Sequence, residues 1–456
     1  MSVPAIRRGE LHFLVYAPQN GDDIAAELGR PDYSYWFVLR YFVPVLERLG
    51  RVITLHDPET EADAYFHDIR SRGDDALLFL FMPPNKVPKN ISCPALAVFA
   101  WEYSSIPTEQ WGGDPRNDWS AVLREMRGAI THSNYALTAT AQALPPDFPI
   151  CSLPAPLWER YRTHRASRAN VTAAQWQLDF EGVVLDSFVL GLNVAFDVAS
   201  PPYSAARCTV ALGGIVYSAV FNPNDKRKNW HDLLSAFVWA FRDEARATLL
   251  LKLVHHDAVF ACGLVLHEMR KLAPYQCRVV AVHGFLDESV YARMVAGTTY
   301  AVNSSRGEGQ CLPLMEFMSA GKPAIAPAHT AMAEYVNPRN SFVVKAWREW
   351  SHWPHDPRLV LRCQRYRIDW ESLRDGYLAS WQVATQDPAQ YRRMSIEATR
   401  ALARFCSSPS ITWQLHRYLR SLGLKPRRLP LRAALALLCV ELRQIVNRVA
   451  RGLRPP

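Results

Sequence analysis

The chain has no run of about 18 apolar residues, the length a membrane-crossing helix needs, so no spanning segment is expected. It has no CxxC pair, and its nine cysteines are scattered and odd in number. A disulfide framework or a zinc cluster is therefore not expected, and a reducing compartment is the default. The opening MSVPAIRRGELHFLVYAP holds too short an apolar stretch for a signal peptide, so a cytoplasmic location is expected. The body of the chain also lacks an excess of either charge. From 417 to 456 there are ten Lys and Arg against one acid, and the remainder balances at 42 of each. The net charge of +9 is thus a property of the tail. A nucleic-acid binder more often carries its positive stripe on the folded domain, so no nucleic-acid partner is expected.

What is present is an ordinary globular composition, 49% hydrophobic and 21% charged, in a chain of 456 residues, too long for one compact core. Apolar runs at 11–17, 51–55, 76–82, 95–101 and 129–132 read as strands, the first nearly continuous and so buried on both faces. Helical stretches at 35–49, 59–72, 119–127 and 135–144 alternate with them. A second series starts near Gly214, with strands at 215–221, 248–254, 278–282 and 300–303 and helices at 230–242, 259–272 and 287–296. Two consecutive α/β units of this kind predict two Rossmann-like domains facing a cleft. The segment 154–205 reads as a linker or an added β element.

The stretch 305–323, SRGEGQCLPLMEFMSAGKP, carries the most chemical information. Gly307 and Gly309 allow a sharp backbone path after the strand. Pro313 suits the first turn of a helix, and Gly321 with Pro323 ends it, giving a short helix at about 312–320. Free N–H groups and the positive dipole end make such a helix start an anion site, suited to a diphosphate. Glu308 on the loop and Glu316 one turn into the helix can each accept hydrogen bonds from vicinal hydroxyls. The alternative is a helix-dipole role for Glu316 and a solvated loop position for Glu308.

With seven residues between Glu308 and Glu316, the run GEGQCLPLMEFMSAGKPAIA resembles the E-x7-E signature of the retaining group 1 glycosyltransferases, whose usual text is close to EGFGLPLLEAMACGTPVIA. Gln310 and Cys311 replace the common Phe-Gly, and HTAMAEYV (329–336) resembles the next segment. Upstream, NPNDKRKNWHDLLSAF (222–237) is similar to the family's GRL…KG…LL-A-F segment. The resemblance implies a phosphate-binding role for Lys228. It places Asn222 at the family's arginine position, with Arg227 or Lys226 as a replacement for that charge. HGFLDESVYARMV (283–295) matches the loop that contacts the base through backbone, which brings in Gly284. The resemblance implies a GT-B fold with a C-terminal helical tail. On that resemblance residues 1–205 are expected to form the acceptor-side domain and 206–400 the nucleotide-sugar domain, with a closing helix at 401–422 and a basic amphipathic tail at 423–456. It implies metal-independent hexosyl transfer with retention and without a cofactor. The donor would be a UDP- or GDP-linked sugar, and the acceptor a glycan or lipid-linked chain in bacterial surface polysaccharide synthesis.

The implied donor site comprises Glu308, Lys228 and Arg227 as catalytic residues, with Glu316, Gly309, Gln310, Cys311, Leu312, Gly21, Asn222 and Gly284 around the donor. Gly21 stands where the family has a glycine loop facing the diphosphate. Glu102 and His132, at strand ends, are candidates for sugar or acceptor contacts, each with a plain structural alternative. Ser133 reads as a helix N-cap. In the tail, Leu438, Leu442, Ile445, Val446 and Val449 recur at helical spacing. The helix they form either lies on an anionic membrane surface, at the inner face of the plasma membrane, or packs back on the first domain. A non-catalytic sugar-nucleotide-binding or assembly protein is the main functional alternative, and a nucleic-acid binder using the tail a weaker one.

Overall fold

The computed structural model describes residues 9–19, 21, 24–164, 173–190, 192 and 205–429. The first domain alternates strands β1 (Leu11–Tyr16), β2 (Arg51–Thr54), β3 (Asp75–Phe81), β4 (Ala95–Phe99), β5 (Gly128–Thr131) and β6 (Ile150–Ser152) with helices α1 (Tyr33–Leu49), α2 (Pro58–Ser71), α3 (Trp119–Glu125) and α4 (Asn134–Ala141). Its sheet runs β2-β1-β3-β4-β5-β6, with every pairing parallel. Helices cover both faces of such a sheet, which is why β1 and β3 are apolar almost without alternation. A short helix α5 (Trp158–Tyr161) follows.

The second domain contains β7 (Ala173–Asp186), β8 (Ala206–Phe221), β9 (Ala247–Leu253), β10 (Arg278–His283), β11 (Tyr300–Val302), β12 (Ala324–Pro327) and β13 (Ser341–Val344). Helices α6 (Trp230–Ala240), α7 (Ala258–Leu272), α8 (Glu288–Gly297) and α9 (Leu312–Ser319) connect the parallel strands. β8 changes role along its length. Its first half pairs antiparallel with β7, and from Ile215 it pairs parallel with β9 and, at Tyr217, with β11. This corrects the boundary expected at 205. β7 also pairs with β10, and Val183 and Leu185 bury in the second domain's core. The β element of 154–205 therefore belongs to the second domain, and the crossing between domains lies between β6 and β7.

Three features were not read from the sequence. A hairpin of β14 (Ala346–His352) and β15 (Arg362–Ile368) stands apart from both sheets. Helices α10 (Trp370–Gln386) and α11 (Pro388–Cys406) follow it. The closing helix expected at 401–422 is α12 (Ser408–Ser421), with α11 ending at Cys406. α12 returns to the first domain, where the Tyr418 hydroxyl donates to the carbonyls of Ala129 (3.2 Å) and Pro149 (2.9 Å). Residues 423–429 continue over that domain, and the Arg427 amide donates to the Leu49 carbonyl at 2.8 Å. The amphipathic stretch of the tail, 430–456, lies outside the described residues.

The hairpin straps the two domains together. Its connecting loop inserts Trp353 among Trp101 (5.6 Å between ring centroids), Trp119 (5.8 Å) and Trp111 (6.0 Å) of the first domain. Ser105 Oγ donates to the Arg362 carbonyl (2.9 Å), and the Gln364 amide donates to Ser104 Oγ (2.8 Å). Trp353 is buried at 6% exposure. Trp353→Ala is expected to cost about 3–5 kcal/mol, because the surrounding rings cannot collapse into the space left. Urea denaturation measures this, and a loss within about 0.5 kcal/mol of zero would show that the strap contributes little to stability.

Candidate functional site

The loop after β11 forms as its spacing suggests, though two of its glycines act differently from expectation. Asn303 Oδ1 accepts the Ser305 amide at 2.9 Å and starts the turn. Gly307 and Gly309 do not adopt positive φ. They are needed for proximity to the first domain. A Cβ on Gly309 would lie 2.8 Å from the Ala100 Cβ and 3.0 Å from the Trp101 nitrogen, and one on Gly307 would lie 3.1 Å from the Glu102 carbonyl oxygen. The left-handed residue is Cys311, with φ of 62°, immediately before α9. It stands where the group 1 text has glycine, and the conformation costs a cysteine roughly 1 kcal/mol. Leu312 and Pro313 open α9, and Gly321, at φ +81°, follows it.

Glu308 is 3% exposed and surrounded by donors. Lys228 Nζ reaches its two oxygens at 2.8 and 3.0 Å, Arg227 Nη1 reaches one at 3.1 Å, and Ser305 Oγ donates at 2.6 Å. Burial alone would favour the protonated acid. The Lys228 and Arg227 charges overcome it and hold the carboxyl well below the usual carboxylate range. Arg227 also meets Glu102 (3.0 Å) and Asp225 (2.9 Å). Glu102 comes from the end of β4, so this cluster crosses the cleft. Burial pushes the Glu102 carboxyl up, although Arg227 opposes the shift. Asp225 Oδ1 accepts the Arg227 amide and shapes the turn 226–228 that presents both cations.

Glu316 is 6% exposed and faces tyrosines. The hydroxyls of Tyr41 on α1 and Tyr291 on α8 donate to its two oxygens at 2.8 and 2.5 Å. Tyr161 of α5 adjoins Tyr41 at 3.3 Å between hydroxyl oxygens. Burial raises the Glu316 carboxyl, and the phenol hydrogen bonds only partly offset this. Gln310 Oε1 accepts the Ala155 amide (3.1 Å) and its carbonyl accepts the Tyr335 hydroxyl (2.8 Å), which ties the loop to the crossing segment.

Other expected site residues lie apart from this cluster. Asn222 donates through Nδ2 to the Gly29 carbonyl at 3.1 Å, across the cleft, and Arg227 carries the charge beside Glu308. Gly21 packs on the Trp36 ring, which a Cβ there would meet at 3.2 Å. Gly284, at φ +141°, leaves room for the Glu181 carbonyl of β7, 2.4 Å from a Cβ built on it. His132 is fully buried at the end of β5, with Nδ1 2.9 Å from the Leu153 carbonyl. Its Nε2 has no hydrogen-bond partner among the described residues. Ser133 caps α4, accepting the Ala136 amide at 3.1 Å.

Sequence reasoning missed Tyr41, Tyr161 and Tyr291, which come from three separate helices and share no motif. It also missed Thr330, whose Oγ1 accepts the Glu308 amide at 3.0 Å, and His329 beside it. Those two sit in the matched segment 329–336, where a hydroxyl next to an imidazole was the available signal.

Comparison with known proteins bears on the fold. Residues 215–351 match the model of the family described as Glycosyl transferases group 1. The chain is similar in structure to sucrose-phosphate synthase from Thermosynechococcus elongatus, at 14% identity and a TM-score of 0.53, over 91% of this chain and 99% of that one. A glycosyltransferase from Rickettsia africae gives 9% identity, a TM-score of 0.53 and the same coverage. Anabaena HepE, solved with UDP and glucose, gives 14% identity and 0.51 over 90% of this chain and all of that one. The fold is GT-B. The chain also aligns with Staphylococcus aureus TarM, but spans only 56% of that protein at a TM-score of 0.45. No curated protein matches it in sequence. In the GT-B frame, Glu308, Lys228, Arg227 and Glu102 lie where the carboxyl ends of both sheets meet, the edge at which such sheets place ligands.

His132 supplies a test of how dry the interior at the end of β5 is. Burial lowers its imidazole to about 4, against the opposing effect of the hydrogen bond its Nδ1 donates to the Leu153 carbonyl. The folded protein therefore binds this proton less readily than the unfolded chain, and stability falls as pH drops through about 6.5 toward the folded value. Unfolding free energies measured from pH 7 to 4 should decline less steeply in His132→Asn, by up to about 1.4 kcal/mol per pH unit. An unchanged slope would mean that other groups carry the dependence.

Proposed function

We propose that the protein is a retaining, metal-independent glycosyltransferase that moves a hexose from a UDP- or GDP-linked donor to a glycan or lipid-linked acceptor. The observation that carries this reading is the buried Glu308 carboxylate paired to Lys228 and Arg227 beside the start of α9. A donor diphosphate brings negative charge to the same two cations. It would replace Glu308 as their partner and release that carboxylate to accept from the hexose hydroxyls. Glu316 would bind the ribose hydroxyls in place of one of its two phenols.

In the proposed reaction the acceptor hydroxyl attacks the anomeric carbon on the face the diphosphate leaves. The bond from that carbon to the phosphate oxygen breaks, and the hydroxyl proton passes to the departing phosphate. Lys228, Arg227 and the N–H groups opening α9 stabilise the growing charge. Glu102 and His132 are proposed to line the sugar or acceptor side. The group 1 match over 215–351 and the GT-B frame support this assignment, as does the position of Glu102 across the cleft. Surface polysaccharide synthesis is the proposed setting, with 430–456 holding the enzyme on an anionic inner membrane face. No described helix is long and apolar enough to cross a membrane.

Thermal-shift titration with UDP-, GDP-, ADP- and dTDP-sugars should find one donor that stabilises by about 2.7 kcal/mol at roughly 100 times its dissociation constant. With that donor, Lys228→Ala is expected to lower transfer by about 10²–10³, and Glu308→Ala by a comparable factor. Wild-type transfer in both variants would overturn the assignment. Donor binding without turnover would indicate a sugar-nucleotide-binding protein. Removing 430–456, which leaves the Arg427 contacts in place, should release the chain from anionic liposomes. Unchanged sedimentation would remove the membrane role.

A further inference from the structure

Beside the donor loop, on the other side of the hairpin, is an open pocket of about 410 Å³. This lies within the roughly 300–1,000 Å³ usual for small-ligand sites. It is lined by Arg306, Trp347, Arg367, Trp370, Asp232 and Glu371 among others. Successive residues of a strand point to opposite faces, which gives the hairpin two distinct sides. Tyr366 stacks on His329 at 4.2 Å and 13°, toward the cleft. Its neighbour Arg367 is directly opposite Trp347 in register, with its guanidinium 5.8 Å from the Trp347 ring centroid. These two line the pocket.

The walls exclude several ligand classes. Arg306 and Arg367 face Asp232, Asp369 and Glu371, so there is no net positive field for a polyphosphate or a nucleic acid. The charged rim is equally unsuited to a purely apolar guest. Yet Trp347 leaves 48% of its surface exposed, a large indole face in water. Arg306 Nε is buried with no hydrogen-bond partner among the described residues. A flat indole beside guanidinium and carboxylate groups fits a ligand with an apolar C–H face and a ring of hydroxyls. Carboxylates accept from vicinal hydroxyls and guanidinium groups donate to them.

We propose that this pocket is a saccharide-binding site, separate from the donor cleft, that takes a short segment of a neutral glycan with one sugar ring stacked on Trp347. Arg306 links it to the cleft. Its amide donates to the Arg227 carbonyl at 2.8 Å, its carbonyl accepts the Tyr366 amide at 2.8 Å, and it lies two residues before Glu308. A glycan held here runs beside the loop that carries the proposed chemistry. The occupant is chosen from the walls of the pocket, and binding does not require the transfer reaction.

The test uses maltohexaose, cellohexaose and laminarihexaose as probes of the full-length protein, by saturation-transfer NMR and tryptophan fluorescence. Wild type is expected to bind at least one of them. Trp347→Ala should weaken that binding about tenfold, while Trp347→Tyr, which keeps a flat ring, restores most of it. Trp239→Ala, which removes an exposed indole on α6, should bind as wild type does. Binding of none of the probes at millimolar concentration overturns the proposal, as does binding indifferent to Trp347. Glu308→Ala should still bind the glycan. Glycan binding lost in Trp347→Ala, with transfer intact in Lys228→Ala and Glu308→Ala, would keep this site and remove the proposed chemistry. The converse result would keep the chemistry and remove the site.

Discussion

A carboxylate at 3% exposure keeps its charge only if cations sit within hydrogen-bond reach, and Glu308 has two. Removing one partner of such a buried pair leaves a charge with no compensation, typically at about 3–5 kcal/mol. The cluster therefore constrains everything that delivers its members. The turn 226–228 must present Lys228 and Arg227 together, the loop after β11 must pass close to both, and β4 must end where Glu102 can reach Arg227. The two sheets are held in one relative placement by the same atoms that form the candidate site.

The two glutamates of the E-x7-E spacing sit in different surroundings. Glu308 is paired with cations and stays ionised. Glu316 faces phenols from α1 and α8, and burial pushes its carboxyl up. In the proposed transfer this difference suits different tasks. A charged group that competes with a diphosphate for cations is released when the donor arrives, and a carboxylate already accepting from hydroxyls can exchange one hydroxyl for another. The strap formed by β14 and β15 borders both the cleft and the saccharide pocket, through Tyr366 on one side and Arg367 on the other.

Much of the fold was legible because buried parallel strands leave a plain signal. β1, β3 and β9 are nearly continuous apolar runs, and the helices between them follow their apolar spacing. The hairpin 346–368 left no such signal. Its strands carry Trp and Arg on both faces, because one side meets the first domain and the other lines an open pocket. The 154–205 segment was misassigned for a related reason. Its alternation marks a hairpin, but alternation does not say which sheet the hairpin joins.

By itself the sequence determined local features: a glycine-bearing loop into a proline-started helix, and apolar strands alternating with helices. These depend on residues within a few positions of one another, so spacing is sufficient. Only the tertiary structure decided which atoms meet. Lys228 and Glu308 are 80 residues apart and Tyr41 and Glu316 are 275 apart, so their contact depends on how two sheets pack across a cleft. The same packing shows why Gly309 is glycine, since the strand end of the other domain occupies the space a side chain would need.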